Sequence, residues 1–310
     1  MKALRARSRR ECGSCKERED RIVDLGSVAL ENDRISLRVA RAFGPRIVSL
    51  SYGGGANLMA ELPDYVTRRP DGKAYRFYGG HRLWLAPEDP IRSYSLDDQA
   101  VSISRTSRAL LVQKPAEEES GIEKSMNITL SNGDARLTIA HRLTNRGLAP
   151  VECAPWAITQ FRTGGVAILP QGRATTELLP NRVLALWPYT DISSSHVSWG
   201  NRFILVRAEN QPPFKIGFPN SRGWLGYWLD GTLFVKRVPF ESQSEYCDLG
   251  SSSECYCNHR FLELETLGPI GILAPGASSV RTEVWELYGN VKPPEDEDSA
   301  QTILDEIGLE

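Results

Sequence analysis

Short runs of apolar and β-branched residues recur along most of the chain, and turn residues separate them. The breaks contain Asn-Asp, Asp-Gly, Asn-Gly and Gly-Gly-Gly sequences, which suit tight turns. No segment between the two ends keeps a helical period over three turns. The pattern predicts an all-β fold, a large antiparallel β-sandwich. Examples of the predicted strands are Ile35–Val39, Arg46–Tyr52, Val101–Ser104, Ala109–Gln113, Glu123–Leu130, Ala135–Leu143, Phe203–Ala208 and Thr232–Arg237.

The two ends of the chain differ from this central region in composition. Residues 1–20 are charged and poor in apolar side chains, which predicts a mobile tail. Residues 21–290 carry the strand pattern and form the predicted sandwich domain. Residues 291–310 begin with prolines and an acidic run, and are interpreted as a solvated acidic C-terminal tail, in which Ile303 and Leu304 could belong to one or two helical turns.

The charge balance limits the classes of partner. The 310 residues include 37 basic and 39 acidic side chains, a formal net charge of −2. Such a balance favours neither a nucleic acid nor an anionic membrane. The basic N-terminus lacks the apolar stretch of a signal peptide, and no long apolar run follows. We therefore expect a cytoplasmic protein, and the sequence leaves a homodimer open.

The six cysteines raise the question of a metal site. Two interpretations stay open at this point, a zinc site and free thiols in a reducing cytosol. Neither cysteine cluster has the paired CxxC spacing of a strong zinc motif, so we expect no metal and no cofactor. The residues concerned are Cys12 and Cys15 near the N-terminus, Cys153, and the group Cys247, Cys255, Cys257 and His259.

Several motifs of well-defined chemistry are missing from the sequence. It contains no GxGxxG dinucleotide loop, no GxxxxGK[ST] phosphate loop, no GxSxG nucleophile elbow and no HExxH. Nucleotide-driven and serine-hydrolase reactions are therefore poor candidates.

One predicted strand near the C-terminus carries unusual chemistry. With a period of two, His259, Phe261, Glu263 and Glu265 fall on one face, while leucines fall on the other. Two carboxylates at i and i+2 lie about 7 Å apart along a strand. Confinement of both would raise the pKa of one, which suits general acid–base work. The alternative is a plain solvent-exposed face.

A second candidate segment is Gly-Gly-His-Arg followed by tryptophan. It places the imidazole of His81, the guanidinium of Arg82 and the indole of Trp84 close together. Sugar recognition uses this mixture, because aromatic faces cover the C–H side of a pyranose and charged groups bind its hydroxyls. Taken singly, a tryptophan is more often part of a core, and Lys236 could reach solvent. Further candidates for substrate binding are Trp156, Gln160, Asp191, Lys215, Trp224 and Lys236.

Several segments together resemble galactose mutarotase-like (aldose 1-epimerase-like) proteins. The resemblance runs from about residue 25 to residue 290, and the order of its motifs matters more than any one of them. The matching segments are Gly44-Pro45-Arg46-Ile47-Val48-Ser49-Leu50, Gly55-Ala56-Asn57-Leu58, Leu143-Thr144-Asn145-Arg146-Gly147, Leu264-Glu265-Thr266, Leu273-Ala274-Pro275-Gly276 and Glu283-Val284-Trp285-Glu286-Leu287.

This resemblance implies a β-supersandwich and assigns roles to individual residues. The family's general base falls on Glu265, and its substrate-binding basic residues fall on His81 and Arg82. The segment Cys153–Phe161, where the family keeps an essential histidine, contains none. His81 or His259 would then take over as the acid, or the site would only bind its ligand.

The sequence thus supports a carbohydrate-binding protein with an aldose 1-epimerase-like acid–base activity on a sugar or sugar acid. In this interpretation Glu265 is the base, His81 is the acid, and the partner is a small carbohydrate. One alternative is a non-catalytic intracellular carbohydrate-binding or sensor module. The other is a lyase- or hydrolase-like enzyme that acts on uronic-acid glycans, although such enzymes generally work outside the cytoplasm.

Overall fold

The structure is a computed structural model, and it describes residues 26–174, 178–209 and 212–309. These residues form 21 strands and two short helices. The strands are β1 Ser27–Glu31, β2 Ile35–Ala40, β3 Arg46–Tyr52, β4 Glu61–Arg68, β5 Ala74–Ala86, β6 Ser102–Arg105, β7 Ala109–Gln113, β8 Ile122–Leu130, β9 Arg136–Asn145, β10 Val151–Phe161, β11 Val166–Pro170, β12 Ala185–Leu186, β13 Val197–Trp199, β14 Phe203–Arg207, β15 Phe214–Phe218, β16 Trp224–Leu229, β17 Thr232–Arg237, β18 Ser253–Cys257, β19 Leu262–Leu267, β20 Gly271–Leu273 and β21 Ser278–Tyr288. The helices are α1 Cys247–Gly250 and α2 Glu297–Glu306.

Two antiparallel sheets contain all of these strands. The first has eleven strands, in the order β1-β2-β3-β5-β10-β19-β18-β15-β12, with β4 paired to β5 and β20 to β10. The second has ten, in the order β13-β14-β11-β16-β17-β21-β9-β8-β7-β6. The predicted antiparallel β-sandwich is confirmed, and each of the eight predicted strands overlaps an observed one.

The main core lies between the two sheets, as the alternation of apolar and polar residues requires. On β19 the side chains of Leu262 and Leu264 point into this core, and on β5 those of Leu83 and Leu85 do so. Because successive side chains of a strand point to opposite faces, the residues between these leucines lie on the outer face of the first sheet. That outer face carries the candidate site.

Two glycines lie where β5 leaves its hairpin with β4 and enters the centre of the first sheet. The first part of β5 pairs with β4, whereas Arg82 pairs with β3 and β10. Gly79 and Gly80 have φ of 86° and 73°. A Cβ at Gly79 would lie 1.9 Å from the carbonyl oxygen of Ala60, and one at Gly80 would lie 2.0 Å from that of Ile47. Only glycine satisfies both the backbone conformation and this close approach.

The acidic C-terminal segment corrects one prediction from the sequence. The sequence predicts a solvated tail for residues 291–310, but α2 packs on the outer face of the second sheet. Its Ala300, Ile303 and Leu304 are buried against a cluster that includes Phe203 and Trp224. The apolar spacing of the segment supplies this buried stripe, and the acidic residues remain on the exposed side and at the helix N-terminus.

The predicted mobile tail, residues 1–20, lies outside the described residues. Neither of the helices found in the described ranges is long and apolar enough to cross a membrane.

Candidate functional site

A cavity of about 450 Å³ opens on the outer face of the first sheet, where β5, β10, β19, β18 and β15 lie side by side. Its volume lies in the range typical of small-ligand sites. Four of the charged side chains that line it are Arg82, Lys215, Glu263 and Glu265. Aromatic rings form most of the remaining wall, and these are Tyr65, Phe77, Trp84, Tyr94, Trp156, Trp187, Tyr189, Tyr256 and Phe261.

The register of the strands brings the charged groups together. Arg82 and Glu265 both pair with Ile158, one on each side of β10. Glu254 pairs with Glu265 on the other side of β19. These residues therefore form one row across the sheet, in which neighbouring side chains on the same face lie about 4.5–5.5 Å apart.

The two carboxylate oxygens of Glu265 differ in their partners. Its Oε2 accepts a hydrogen bond from Trp156 Nε1 at 2.8 Å and forms an ion pair with Lys215 Nζ at 3.1 Å. Its Oε1 has no hydrogen-bond partner among the described residues. A buried carboxylate oxygen without a partner is costly, so this oxygen is a natural acceptor for a ligand hydroxyl in the cavity.

Lys215 is the cationic centre of this group. Its ammonium lies 2.8 Å from Glu254 Oε2. It also lies over the rings of Trp156 and Trp187, at 4.9 and 4.6 Å from their centroids. Burial opposes the ammonium charge, but Glu265 and Glu254 outweigh it, and the pKa of Lys215 is raised well above its usual value.

Glu254 is a buried carboxyl behind the cavity wall. It is fully shielded from solvent, and its Oε1 has no hydrogen-bond partner in the described ranges. Burial raises its pKa well above the usual value, and the charge of Glu265 adds to this, although Lys215 acts in the opposite direction. Of the two carboxyls beside Lys215, Glu254 is thus the one that burial drives toward the protonated form.

Arg82 and Glu263 form the second charged pair of the cavity. Arg82 Nη2 lies 3.2 Å from Glu263 Oε1, and its guanidinium stacks 4.4 Å from the ring centroid of Trp84. Arg82 Nε and Nη1 make no hydrogen bond within the described part of the chain. Burial raises the pKa of Glu263 to about 7, with a further contribution from the charge of Glu265, and Arg82 limits the rise.

The site therefore holds two carboxyl groups in different environments, only two positions apart on β19. Glu265 is paired with an ammonium group, which fits a proton acceptor. Glu263 titrates near neutral pH, which fits a group that both gives and takes a proton. Of the four residues predicted to share one face, Phe261, Glu263 and Glu265 do line the cavity, whereas His259 lies before β19 and is exposed.

The aromatic walls form a connected set. The rings of Trp84 and Trp156 lie 5.3 Å apart in an edge-on arrangement, and the ring of Tyr94 lies 4.6 Å from that of Trp84. The indole N–H groups of Trp84 and Trp156 are already bonded, to Tyr75 and Glu265 respectively. Both indoles are almost fully buried, and the part of each ring that lines the cavity is apolar, as the C–H face of a sugar ring requires.

His81 does not line the cavity, which corrects its expected position. It is adjacent to Arg82 in sequence, so its side chain points to the opposite face of β5, into the core between the sheets. It is fully buried there, 4.8 Å from the ring of Trp285. Burial, together with the neighbouring His141, lowers the pKa of His81 well below its usual value.

A chain of hydrogen bonds fixes the protons of the two core histidines. His141 Nδ1 must donate to the carbonyl oxygen of Arg281 at 3.1 Å, since a carbonyl can only accept. The Nε2 atom of neutral His141 then accepts from His81 Nε2 at 2.7 Å, and His81 Nδ1 accepts from the Thr159 hydroxyl at 2.9 Å. Both imidazoles are satisfied inside the core.

Lys236 also lies in the core and not in the cavity. It is fully buried, 3.3 Å from Glu283 Oε1, and it donates to the carbonyl oxygens of Leu264 and Ala157 at 3.1 and 3.4 Å. Leu264 belongs to β19 and Ala157 to β10, the strands that carry Glu265 and Trp156. This lysine of the second sheet thus ties together the two strands beneath the site.

The other sequence candidates lie elsewhere. Gln160 is buried beside the site, but it is not part of the cavity wall, and its amide atoms have no hydrogen-bond partner in the part of the chain that the structure describes. Asp191 is exposed and binds Ser193. His259 is exposed in a turn before β19, and Trp224 packs under α2.

Sequence reasoning missed several residues of the site. The most important is Glu254, which the alternation of β18 places on the same face as Tyr256, next to Glu265. A period-of-two analysis of Ser253–Cys257 would have revealed that face, but the pairing of β18 with β19 is a tertiary property. Tyr65 on β4, Phe77 on the part of β5 that pairs with β4, and Tyr94 in the segment after β5 also reach the cavity, and no local pattern indicates this.

One group within the described ranges has donor atoms close enough to surround a metal ion, and it consists of His81, His141 and Glu283. Their atoms already serve the histidine chain and the ion pair with Lys236, so the set fits a hydrogen-bonded core better than a cation site.

The cysteine group considered as zinc ligands does not converge. Cys255 and Cys257 point into the core, Cys247 packs on the outer face and His259 is exposed. Cys12 and Cys15 lie outside the described residues.

Comparisons with known proteins give structural matches only. No protein-family model matches the chain. No curated protein matches its sequence.

Solved structures resemble this one over most of its length. A galactose mutarotase-like protein from Lactobacillus casei matches with a TM-score of 0.52 and 13% identity, over 85% of this chain and 100% of that one. An Escherichia coli K12 protein provisionally named an aldose 1-epimerase matches with a TM-score of 0.53 and 11% identity, over 85% and 99%. One from Klebsiella pneumoniae, named likewise, matches with a TM-score of 0.55 and 10% identity, over 90% and 81%.

These identities are far below the level at which an activity carries over, so the matches bear on architecture. Two large antiparallel sheets in this arrangement agree with the resemblance found in the sequence. The chain has the galactose mutarotase-like β-sandwich fold.

Proposed function

We propose that the chain binds an aldose in the cavity on the first sheet and interconverts its two anomers. The observation that carries the proposal is the pair of carboxyls on β19. Glu265 has one oxygen held by Trp156 and Lys215 and another without a partner, and Glu263 beside it has a pKa near 7. The fold agrees with this assignment, although likeness of fold alone does not establish it.

In the proposed reaction Glu265 is the base. Its Oε1 removes the proton from the anomeric hydroxyl, and the electron pair of that O–H bond forms the carbonyl of the open-chain aldehyde. The bond between the anomeric carbon and the ring oxygen breaks at the same time. Lys215, 3.1 Å from Oε2, stabilises the carboxylate before the transfer and Trp156 fixes its orientation.

Glu263 is the proposed acid, and it replaces His81 in that role because His81 lies on the opposite face of β5. Its proton goes to the ring oxygen, which receives the electron pair of the broken bond. After rotation about the bond between the first two carbons, the ring recloses. Glu263 then recovers its proton and Glu265 returns the other one, so the enzyme ends unchanged.

The remaining groups of the cavity would bind the sugar. Arg82 Nε and Nη1 have no partner among the described residues and can donate to hydroxyl oxygens. Trp84 and Trp156 offer apolar ring surface. A free sugar already interconverts slowly in water, so a gain of about 10²–10⁴-fold per catalytic group would suffice.

A second candidate is binding without conversion. The observation in its favour is that the cavity charges pair with one another, Arg82 with Glu263 and Lys215 with Glu265. Such pairs could serve only to arrange donors and acceptors for a ligand. In that case the protein would bind a sugar and leave its anomeric equilibrium rate unchanged.

The test is polarimetry on freshly dissolved pure anomers of a panel of aldoses, with the Glu265→Gln variant beside the wild type. Glutamine keeps the volume and can still accept from Trp156. We expect Glu265→Gln to lower the rate by at least about 10²-fold while calorimetry detects the same ligand. Glu31→Gln, an exposed carboxyl on β1, is the matched control and should not change the rate.

The outcomes separate the candidates. Equal rates for the wild type and Glu265→Gln would contradict the proposal that Glu265 is the base. Sugar binding with no acceleration by the wild type would favour the binding protein. Absence of binding for every aldose in the panel would contradict both candidates.

A further inference from the structure

A second open cavity, of about 580 Å³, adjoins the first. Glu88 and Tyr94 line both of them. The second cavity lies between the tip of the β4–β5 hairpin, with Thr67 and Arg68, and the segment that contains Pro90. Glu88 and Tyr94 therefore form the boundary where the two cavities meet, and we call the two cavities together the cleft.

The boundary is firmly held. The Tyr94 hydroxyl donates to Glu88 Oε1 at 2.7 Å, and its ring packs 4.6 Å from that of Trp84. Buried Arg69 donates to the carbonyl oxygen of Tyr94 at 3.0 Å and to Glu119 at 2.8 Å. Because one buried guanidinium links the hairpin tip to the Tyr94 segment, the second cavity has fixed walls on both sides.

The chemistry of the second cavity differs from that of the first. The hydroxyl of Thr67 and the exposed guanidinium of Arg68 line the second cavity and not the first. The exposed carboxylate of Glu88 and the ring of Tyr94, which the two cavities share, complete its polar and aromatic surface. Such a surface hydrogen-bonds hydroxyl groups and makes one stacking contact. It suits a sugar unit that is bound but not chemically changed.

We propose that the cleft takes a reducing disaccharide or longer oligosaccharide, with the reducing-end unit at Glu265 and the next unit between Arg68 and Tyr94. This inference rests on the proposed function. Only a free anomeric carbon can open its ring, so the reducing-end unit must occupy the first cavity. The glycosidic oxygen then lies at the boundary, within reach of Glu88 and Tyr94.

Titration calorimetry with glucose, galactose, maltose, cellobiose and lactose tests this proposal. We expect at least one disaccharide to bind about tenfold more tightly than the monosaccharide at its reducing end. Arg68→Ala should reduce that ratio of affinities at least fivefold. Thr67→Trp, which fills the second cavity, should remove the advantage of the disaccharide. Arg105→Ala, an exposed arginine on the other sheet, should leave the ratio unchanged.

The results distinguish this inference from the function on which it rests. If monosaccharides bind and interconvert but no disaccharide binds more tightly, the second subsite is wrong and the proposed function stands. A tighter disaccharide whose advantage survives both Arg68→Ala and Thr67→Trp also overturns the subsite. If none of the five sugars binds, both proposals fail.

Discussion

Glu254 lies directly opposite Glu265 across β18 and β19, and both carboxyls contact the same ammonium group. Lys215 Nζ is 2.8 Å from Glu254 and 3.1 Å from Glu265. Neither carboxyl is exposed to solvent. One cation thus stands between two buried carboxyls, and the stability and chemistry of the site both depend on it.

Replacement of Lys215 by methionine should destabilise the protein strongly. The variant keeps a similar volume but leaves Glu254 and Glu265 buried without a cation, which typically costs about 3–5 kcal/mol. Burial already raises the pKa of Glu254 well above its usual value, and loss of the ammonium removes the charge that opposes this rise. Protonated Glu254 is then tolerated at low pH, and stability is lost as the pH increases above its unfolded pKa.

Urea unfolding of Lys215→Met at pH 5 and pH 8 checks this prediction. The loss of unfolding free energy relative to the wild type should be larger at pH 8. Lys292→Met is the control, because Lys292 is exposed near the C-terminus and should unfold like the wild type. A loss of equal size at both pH values would show that the carboxyls do not depend on Lys215 for their charge.

The pH dependence of catalysis should report Glu263. Its pKa is raised to about 7, first by burial. As the proposed acid it must be protonated, so kcat/KM for mutarotation should fall as the pH rises through about 7. Glu263→Gln should slow the reaction and remove this alkaline limb, since glutamine does not titrate.

Replacement of Arg82 tests Glu263 as the acid in a second way. Its guanidinium lowers the pKa of Glu263, so Arg82→Met should move the alkaline limb to higher pH as well as weaken binding. His81→Asn should leave the position of the limb unchanged, because His81 lies in the core. An unaltered limb in Glu263→Gln would exclude Glu263 as the acid.

The core ion pair of Lys236 and Glu283 should show strong coupling. Burial alone would raise the pKa of Glu283, but Lys236, His141 and the hydrogen bonds from Thr266 and Trp285 together outweigh it, and the pKa is lowered. Lys236→Met removes the partner of a buried charge, at a cost of about 3–5 kcal/mol. In the double variant, Glu283→Gln supplies a neutral amide that can still bond Thr266 and Trp285. The double variant should therefore regain part of the free energy of unfolding that Lys236→Met loses.

A double-mutant cycle by urea unfolding measures this coupling. We expect the double variant to lose about 1–3 kcal/mol less unfolding free energy than the two single variants lose together. Strict additivity of the two single variants would mean that the two side chains do not interact. Trp fluorescence and circular dichroism should follow the same transition, so that the free energies are comparable.

Much of the fold and one strand of the site follow from local pattern. The period of two in Leu262–Leu267 determines that Glu263 and Glu265 share a face opposite Leu262 and Leu264, whatever the strand pairs with. The same rule also separates His81 from Arg82, once both lie on one strand. The sequence does not indicate that Gly-Gly-His-Arg is strand, whereas in the structure β5 runs through it.

The strand alternation, the turns and therefore the sandwich class follow from the amino-acid sequence, because these depend on neighbours along the chain. The tertiary structure alone decided which face became a cavity and which became core. Lys236 is buried beneath β19 and Lys215 lines the cavity, although both are lysines on apolar strands. The pairing of strands far apart in sequence determines which carboxyls contact each lysine ammonium. Those carboxyls determine the chemistry of the lysine.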